Sequence, residues 1–214
     1  FWALVGNSNV WVQFPHTLFS GFATAAVFVG AISVYHLFRK NEEEFFTRSF
    51  KLANIFGIIS ISLVILVGHM QGQHMVATQP MKMAAAEALW ETENPASFSL
   101  LTIGDEKEMK DIFSIRLPRL LSFLAYNRFD GEVRGIRDLQ KEYENLYGPG
   151  DYVPSVIIAY WSFRVMVGAG FVMLLIMALT LLQILQKKPI GKGQIYQYLA
   201  VMILFPYAAN IAGW

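Results

Sequence analysis

Cysteine is absent from the 214 residues. That removes disulfides, thiolate metal sites and cysteine nucleophiles, and leaves His, Met, Lys, Arg and carboxylates for any chemistry. Charge is also scarce, at 15% of residues, against roughly 25% in an average soluble domain. The scarcity falls in blocks. Residues 1–38 and 52–79 carry no formal charge, and between Tyr152 and Gln186 only Arg164 does. No basic stripe is present to point to nucleic acid, and the net charge of +1 singles out no partner. The chain opens on Phe-Trp without a basic leader. It has no initiator Met and ends on Trp214 inside an apolar run, so it reads as a piece of a longer protein.

What is present is apolar, with 55% hydrophobic residues and a mean hydropathy of +0.41. Uncharged apolar runs of about 18 residues or more are the signature of membrane-spanning helices. The expected fold is therefore all-α, a polytopic transmembrane bundle with spans near Phe14–Phe38, Leu52–Met70, Pro154–Leu185 and Tyr196 to the end. Two short connections are basic: Arg39–Lys51 holds four Lys or Arg, and Gln186–Gln194 holds three and no acid. Basic short loops face the cytoplasm, which puts the long middle connection outside. The domain reading is residues 1–70 as two spans, 71–153 as an extracytoplasmic loop and 154–214 as two more spans. That loop carries nine basic and thirteen acidic residues, too polar for lipid. Within it, Pro80 opens a helix expected to run through Trp90 and Glu91 and to end at Asn94-Pro95. Asp105–Lys110 is a charged segment, and Asp138–Tyr147 reads as a short amphipathic helix stopped by Gly148-Pro149-Gly150.

Few side chains in the spans carry chemistry. His16 stands near the outer end of the first and Met166 near the outer end of the third. His and Met are the axial pair of a low-spin haem of raised potential. On composition alone an interfacial His and an ordinary packing Met are the better account of them. Arg164 lies inside a span with no acid in any of the four, and a buried guanidinium calls for an anionic partner such as a ligand carboxylate. On a helix Lys82 and Glu87 lie about 140° apart, so they flank a small molecule or belong to a solvated surface helix; Glu91 shares the Glu87 face. A carboxylate at the outer surface suits the protons of an oxidised quinol. His69 and His74, five apart, do not share a helical face and have no obvious third metal ligand.

The stretches VWVQFPHTLFSGF, GHMQGQHMVATQPMKMAAAEALWET, AYWSFRVMVGAGF and AANIAGW, in this order, resemble subunit I of the bacterial cytochrome bd-type quinol oxidases. The resemblance covers most of the chain outside 98–151, and it, not periodicity, carries the haem reading. It implies that His16 and Met166 ligate a low-spin haem b tuned by Arg164. It implies that Lys82 and Glu87 bind and oxidise quinol, menaquinol or ubiquinol, in a short "Q-loop". The family places a second haem b and haem d, where oxygen is reduced to water, on helices this sequence lacks. The implied protein is a quinol:oxygen oxidoreductase of the bacterial cell membrane. It would work in the lipid bilayer with a subunit II and a small single-span subunit, and its protons would be released outside. The alternatives are a carrier or channel with Arg164 in its substrate site, and a non-catalytic membrane anchor containing haem.

Overall fold

The computed structural model describes residues 2–186 and 192–213. The chain forms two compact units, Phe1–Gly68 with Arg164–Trp214, and His69–Phe163.

The first unit is helical. After the single turn α1 (Trp2–Val5), α2 (Ser8–Phe38) starts at Asn7, whose side-chain oxygen accepts the Asn9 N–H at 3.0 Å. Such a cap satisfies one of the donors that a helix start leaves open. The helices α3 (Glu43–Thr78) and α7 (Val156–Leu185) extend into the second unit, and α8 (Lys192–Gly213) completes the set. Among the described residues α2, α3 and α7 are long and apolar enough to cross a membrane. Helix α8 covers the stretch expected as a fourth span. Residues 187–191 of the second basic connection lie outside the described residues. Helix α3 outruns the expected span Leu52–Met70 at both ends, beginning on Glu43 and Glu44.

These helices pack through small residues. Serines 33 and 49 share a 2.8 Å hydrogen bond. A Cβ on Gly57 would lie 3.2 Å from the Ala26 methyl and 2.3 Å from the Met177 Cε, and a Cβ on Gly68 would lie 3.1 Å from the His16 ring. The Thr180 hydroxyl donates to Asn54 Oδ1 at 2.8 Å, and Asn54 is fully buried. In hydrocarbon, van der Waals contact between small residues and interhelical hydrogen bonds replace the hydrophobic drive. The core (Ala23, Ala26, Val27, Val34, Phe50, Ile61, Met173, Met177 and Tyr198) is therefore thin. Phe28, Ile59, Leu66, Phe171 and Leu175 point outward and stay exposed, as lipid-facing side chains do.

The second unit adds one two-stranded hairpin to an otherwise helical fold. Strands β1 (Phe98–Asp105) and β2 (Lys110–Leu117) form an antiparallel hairpin, pairing Phe98 with Leu117 and Asp105 with Lys110. The charged segment Asp105–Lys110 is its turn, where Asp105 Oδ1 accepts the N–H of Lys107 and of Glu108. β-Branched and aromatic residues in FSLLTIGD and KDIFSIRL favour a pleated strand.

Helix α4 (Pro80–Glu87) ends sooner than its sequence suggests. Ala88 is left-handed (φ 46°, ψ 46°), and the Leu89 N–H returns to the Ala84 carbonyl at 2.9 Å, a Schellman-type stop. Beyond it, the Leu89 and Trp90 carbonyls accept the N–H of Ile136 and Arg137 at 2.9 and 3.0 Å. These are donors that the first turn of α6 (Ile136–Tyr147) cannot satisfy internally. Helix α5 (Leu120–Tyr126) buries Leu121 and Ala125 against Met83, Leu89 and Ala96. Helix α6 buries Ile136 and Leu139 against Met81, Ala84 and Ala85, and stops at Gly148 (φ 97°).

Gly135 makes the α6 approach possible. A Cβ there would sit 2.2 Å from the Glu91 carbonyl carbon and 2.6 Å from the Thr92 nitrogen, both backbone atoms with no rotamer to yield. Gly135→Ala should destabilise the second unit by about 3 kcal/mol, seen as faster limited proteolysis between 88 and 136 and a lower thermal midpoint. Wild-type resistance would show that the backbone there gives way freely.

Candidate functional site

In the first unit the helix register fixes where the candidate ligands stand. Ser33 with Ser49, Ala26 with Gly57 and His16 with Gly68 mark α2 and α3 as antiparallel neighbours. Asn54 with Thr180 and Gly57 with Met177 do the same for α3 and α7. Eleven residues on from Gly57 is Gly68, and eleven back from Met177 is Met166. Eleven residues are close to three turns of about 3.6 residues, so Gly68 and Met166 recur on the facing sides at one level. Helix register therefore puts His16 and Met166 at a similar level along α2 and α7. A third antiparallel pairing, α2 with α8, runs through Gly30 with Tyr198 and Thr24 with Asn210.

Both side chains rest on glycines. The His16 imidazole lies over Gly68, and the Met166 sulfur stands 3.2 Å from where a Gly213 Cβ would be. His16 Nδ1 is buried with no hydrogen-bond partner among the described residues. That nitrogen faces Gly68, and the ring also lies within reach of the Val64 backbone. Arg164, two residues before Met166 on α7, is half-buried.

In the second unit α4 separates its two candidate groups. Lys82 is exposed, whereas Glu87 is buried, 1% exposed. A solvated surface helix is excluded, since Met81, Met83 and Ala84–Ala86 are buried too. Glu91 does not share a helical face with Glu87, because the helix has already ended; it pairs with Arg137 at 2.7 Å. The Glu87 carboxylate is held from the hairpin, where Oε2 accepts the Ser99 N–H at 3.2 Å. The second strand holds the turn after it. Arg116 Nη2 donates to the Ala88 carbonyl at 2.7 Å and to Asp111 Oδ2 at 3.1 Å, and Asp111 Oδ1 accepts the Trp90 indole N–H at 2.7 Å. Ser99, Asp111 and Arg116 were not singled out in the sequence, because strand pairing alone brings them to α4. The His69 Nε2 lies 2.8 Å from Asn127 Oδ1 and 3.2 Å from Gln73 Nε2. Among the described residues no three His, Asp or Glu gather as a metal site.

The family model for cytochrome bd terminal oxidase subunit I matches residues 1–214. The chain belongs to this family. It is 45% identical over 216 residues to cytochrome bd ubiquinol oxidase subunit 1 of Bacillus subtilis (strain 168), covering 100% of this chain and 46% of that protein. Cytochrome bd-II ubiquinol oxidase subunit 1 of Escherichia coli (strain K12) is 28% identical, with 99% of this chain and 52% of that one aligned. The structure of bd oxidase from Geobacillus thermodenitrificans superposes with a TM-score of 0.75 at 25% identity, covering 95% of this chain and 45% of its counterpart. The chain spans about half the length of the relatives it matches. Family membership bears out the resemblance read from the four motifs.

The Asp111–Arg116 clamp has a measurable signature. Arg116→Met and Asp111→Leu should each cost about 2 kcal/mol by leaving a partly buried partner unsatisfied. The double variant should cost less than the two losses added, by about 1 kcal/mol. Strict additivity in a thermal-unfolding cycle would show that the two do not act as a unit.

Proposed function

We propose that this chain forms the quinol-oxidising, low-spin-haem-binding part of subunit I of a cytochrome bd-type terminal oxidase, a quinol:oxygen oxidoreductase. The reading rests on family membership together with one register argument, which puts His16 and Met166 at a similar level along α2 and α7. His16 and Met166 would be the residues that hold a low-spin haem b. Haem held by His and Met is a one-electron acceptor of raised potential. Arg164 supplies the charge that a propionate would pair with.

The residues of 71–153 do the quinol chemistry. Lys82, exposed on a helix otherwise buried, hydrogen-bonds one ring oxygen. Glu87, on the buried side, takes the proton from a quinol hydroxyl. Its fixed position against Ser99 and the clamped Ala88 turn keeps the carboxylate ready without reordering. The two basic short connections support a loop on the outer side of the bacterial cell membrane, with its protons released to the extracytoplasmic side. Domains divide at 1–70, 71–153 and 154–214. The second haem b, haem d and oxygen reduction belong to the rest of subunit I. Subunit II and a small single-span subunit complete the complex.

In the intact oxidase, His16→Ala and Met166→Ala should each abolish the low-spin b-type band in a reduced-minus-oxidised spectrum. Glu87→Gln should keep that band and slow quinol oxidation about 100-fold. A band that survives both ligand changes would overturn the haem assignment.

A further inference from the structure

A proton accepted at Glu87 is buried and needs a way out. The buried Ser60 hydroxyl of α3 donates back to the Phe56 carbonyl of its own helix. Three hydroxyls beside Glu87 bond to one another instead. Ser99 Oγ lies 2.7 Å from Thr102 Oγ1 and 2.8 Å from the Tyr160 OH. Ser99 and Thr102 come from β1 and Tyr160 from the start of α7, and none is more than 2% exposed. Ser99 is also the residue whose N–H binds the Glu87 carboxylate.

Each hydroxyl in such a row both donates and accepts, and either atom of each pair can be the donor. The row can therefore reverse its polarity and pass a proton along. It opens on a cleft of about 20 Å³ lined by Thr102, Tyr160, Gly104, Glu106 and two tryptophans, Trp90 and Trp161. That is room for one water, which needs about 10–15 Å³. Glu106, half-buried at this cleft, is anchored by the Ile157 N–H at 2.7 Å and the Ser155 hydroxyl at 3.1 Å.

We propose that Ser99, Thr102 and Tyr160 form a proton exit relay from Glu87 through this cleft to Glu106 and the outer solvent. The inference rests on the reading of Glu87 as the proton acceptor of quinol oxidation. Each quinol gives up two O–H protons and two electrons, the electrons leaving one at a time to the haem that His16 and Met166 would hold. The proton taken by Glu87 converts its carboxylate to the acid. The Ser99 Oγ, on the residue whose N–H holds that carboxylate, accepts the proton as it gives its own to Thr102 or Tyr160 at the cleft, a cleft water carries a proton on to Glu106 and solvent, and Glu87 returns to the carboxylate for the next.

The test uses the intact oxidase with a soluble quinol. Tyr160→Phe and Thr102→Val should lower kcat about tenfold with the quinol KM and haem spectrum unchanged. They should raise the solvent deuterium isotope effect on kcat, while Thr102→Ser, which keeps the hydroxyl, stays near wild type. Glu87→Gln is run alongside. Loss of quinol oxidation in Glu87→Gln, with wild-type kcat and isotope effect in Tyr160→Phe and Thr102→Val, overturns the relay and leaves the quinol site standing. A raised KM at constant kcat overturns it too, because that assigns these hydroxyls to binding. Full activity in Glu87→Gln overturns the site reading and the relay with it. If Thr102→Val fails to fold, Tyr160→Phe against Thr102→Ser carries the same comparison.

Discussion

The register among α2, α3 and α7 is the constraint on which the rest of the membrane part depends. Lipid supplies no hydrophobic drive between helices, so position along the helix axes must be set by shape and by a few polar contacts. Gly57 supplies the shape, with Ala26 on one side and Met177 on the other. Asn54 supplies the polar contact, accepting from Thr180 and lying 3.5 Å from the Tyr198 hydroxyl. Slide α7 one turn, by about 5.4 Å, and both are lost at once. The levelling of His16 and Met166 is a remote product of that pairing, since neither residue takes part in it.

The polar unit solves a different problem. It must hold a carboxylate away from water at the end of a helix only eight residues long, far below the length at which a helix holds itself together. Tertiary contacts therefore carry it: alanines packed on α6, a hairpin across its C-terminal turn, and carbonyls lent to the start of α6. The alanines of α4 are what allow this, since a larger side chain at the fully buried Ala84 or Ala85 would hold the neighbouring elements off.

The sequence made the long helices legible because charge is expensive in hydrocarbon, and its absence marks the spans directly. Boundaries were less legible: α3 continues past lipid into polar sequence where nothing stops it. The hairpin escaped notice for a physical reason. Irregularities between Ser99 and Leu101 and between Ile103 and Gly104 break the two-residue alternation that identifies a half-buried strand. The His16, Met166, Lys82 and Glu87 positions came from motif likeness, not from periodicity. The Ser99–Tyr160 contact joins residues 61 apart, and Arg116 reaches Ala88 from 28 away. No local pattern encodes either.

Ala88 carries a left-handed backbone that a side chain resists, at about 1 kcal/mol, while its methyl is packed in the core beside Trp90 and Tyr160. A glycine would relax the torsion and empty that space. The chain has kept the stiffer choice immediately after its buried acid. Folding thus settles the carboxylate's orientation once, and successive turnovers inherit it, so little of the barrier to proton transfer need be spent on rearranging the protein.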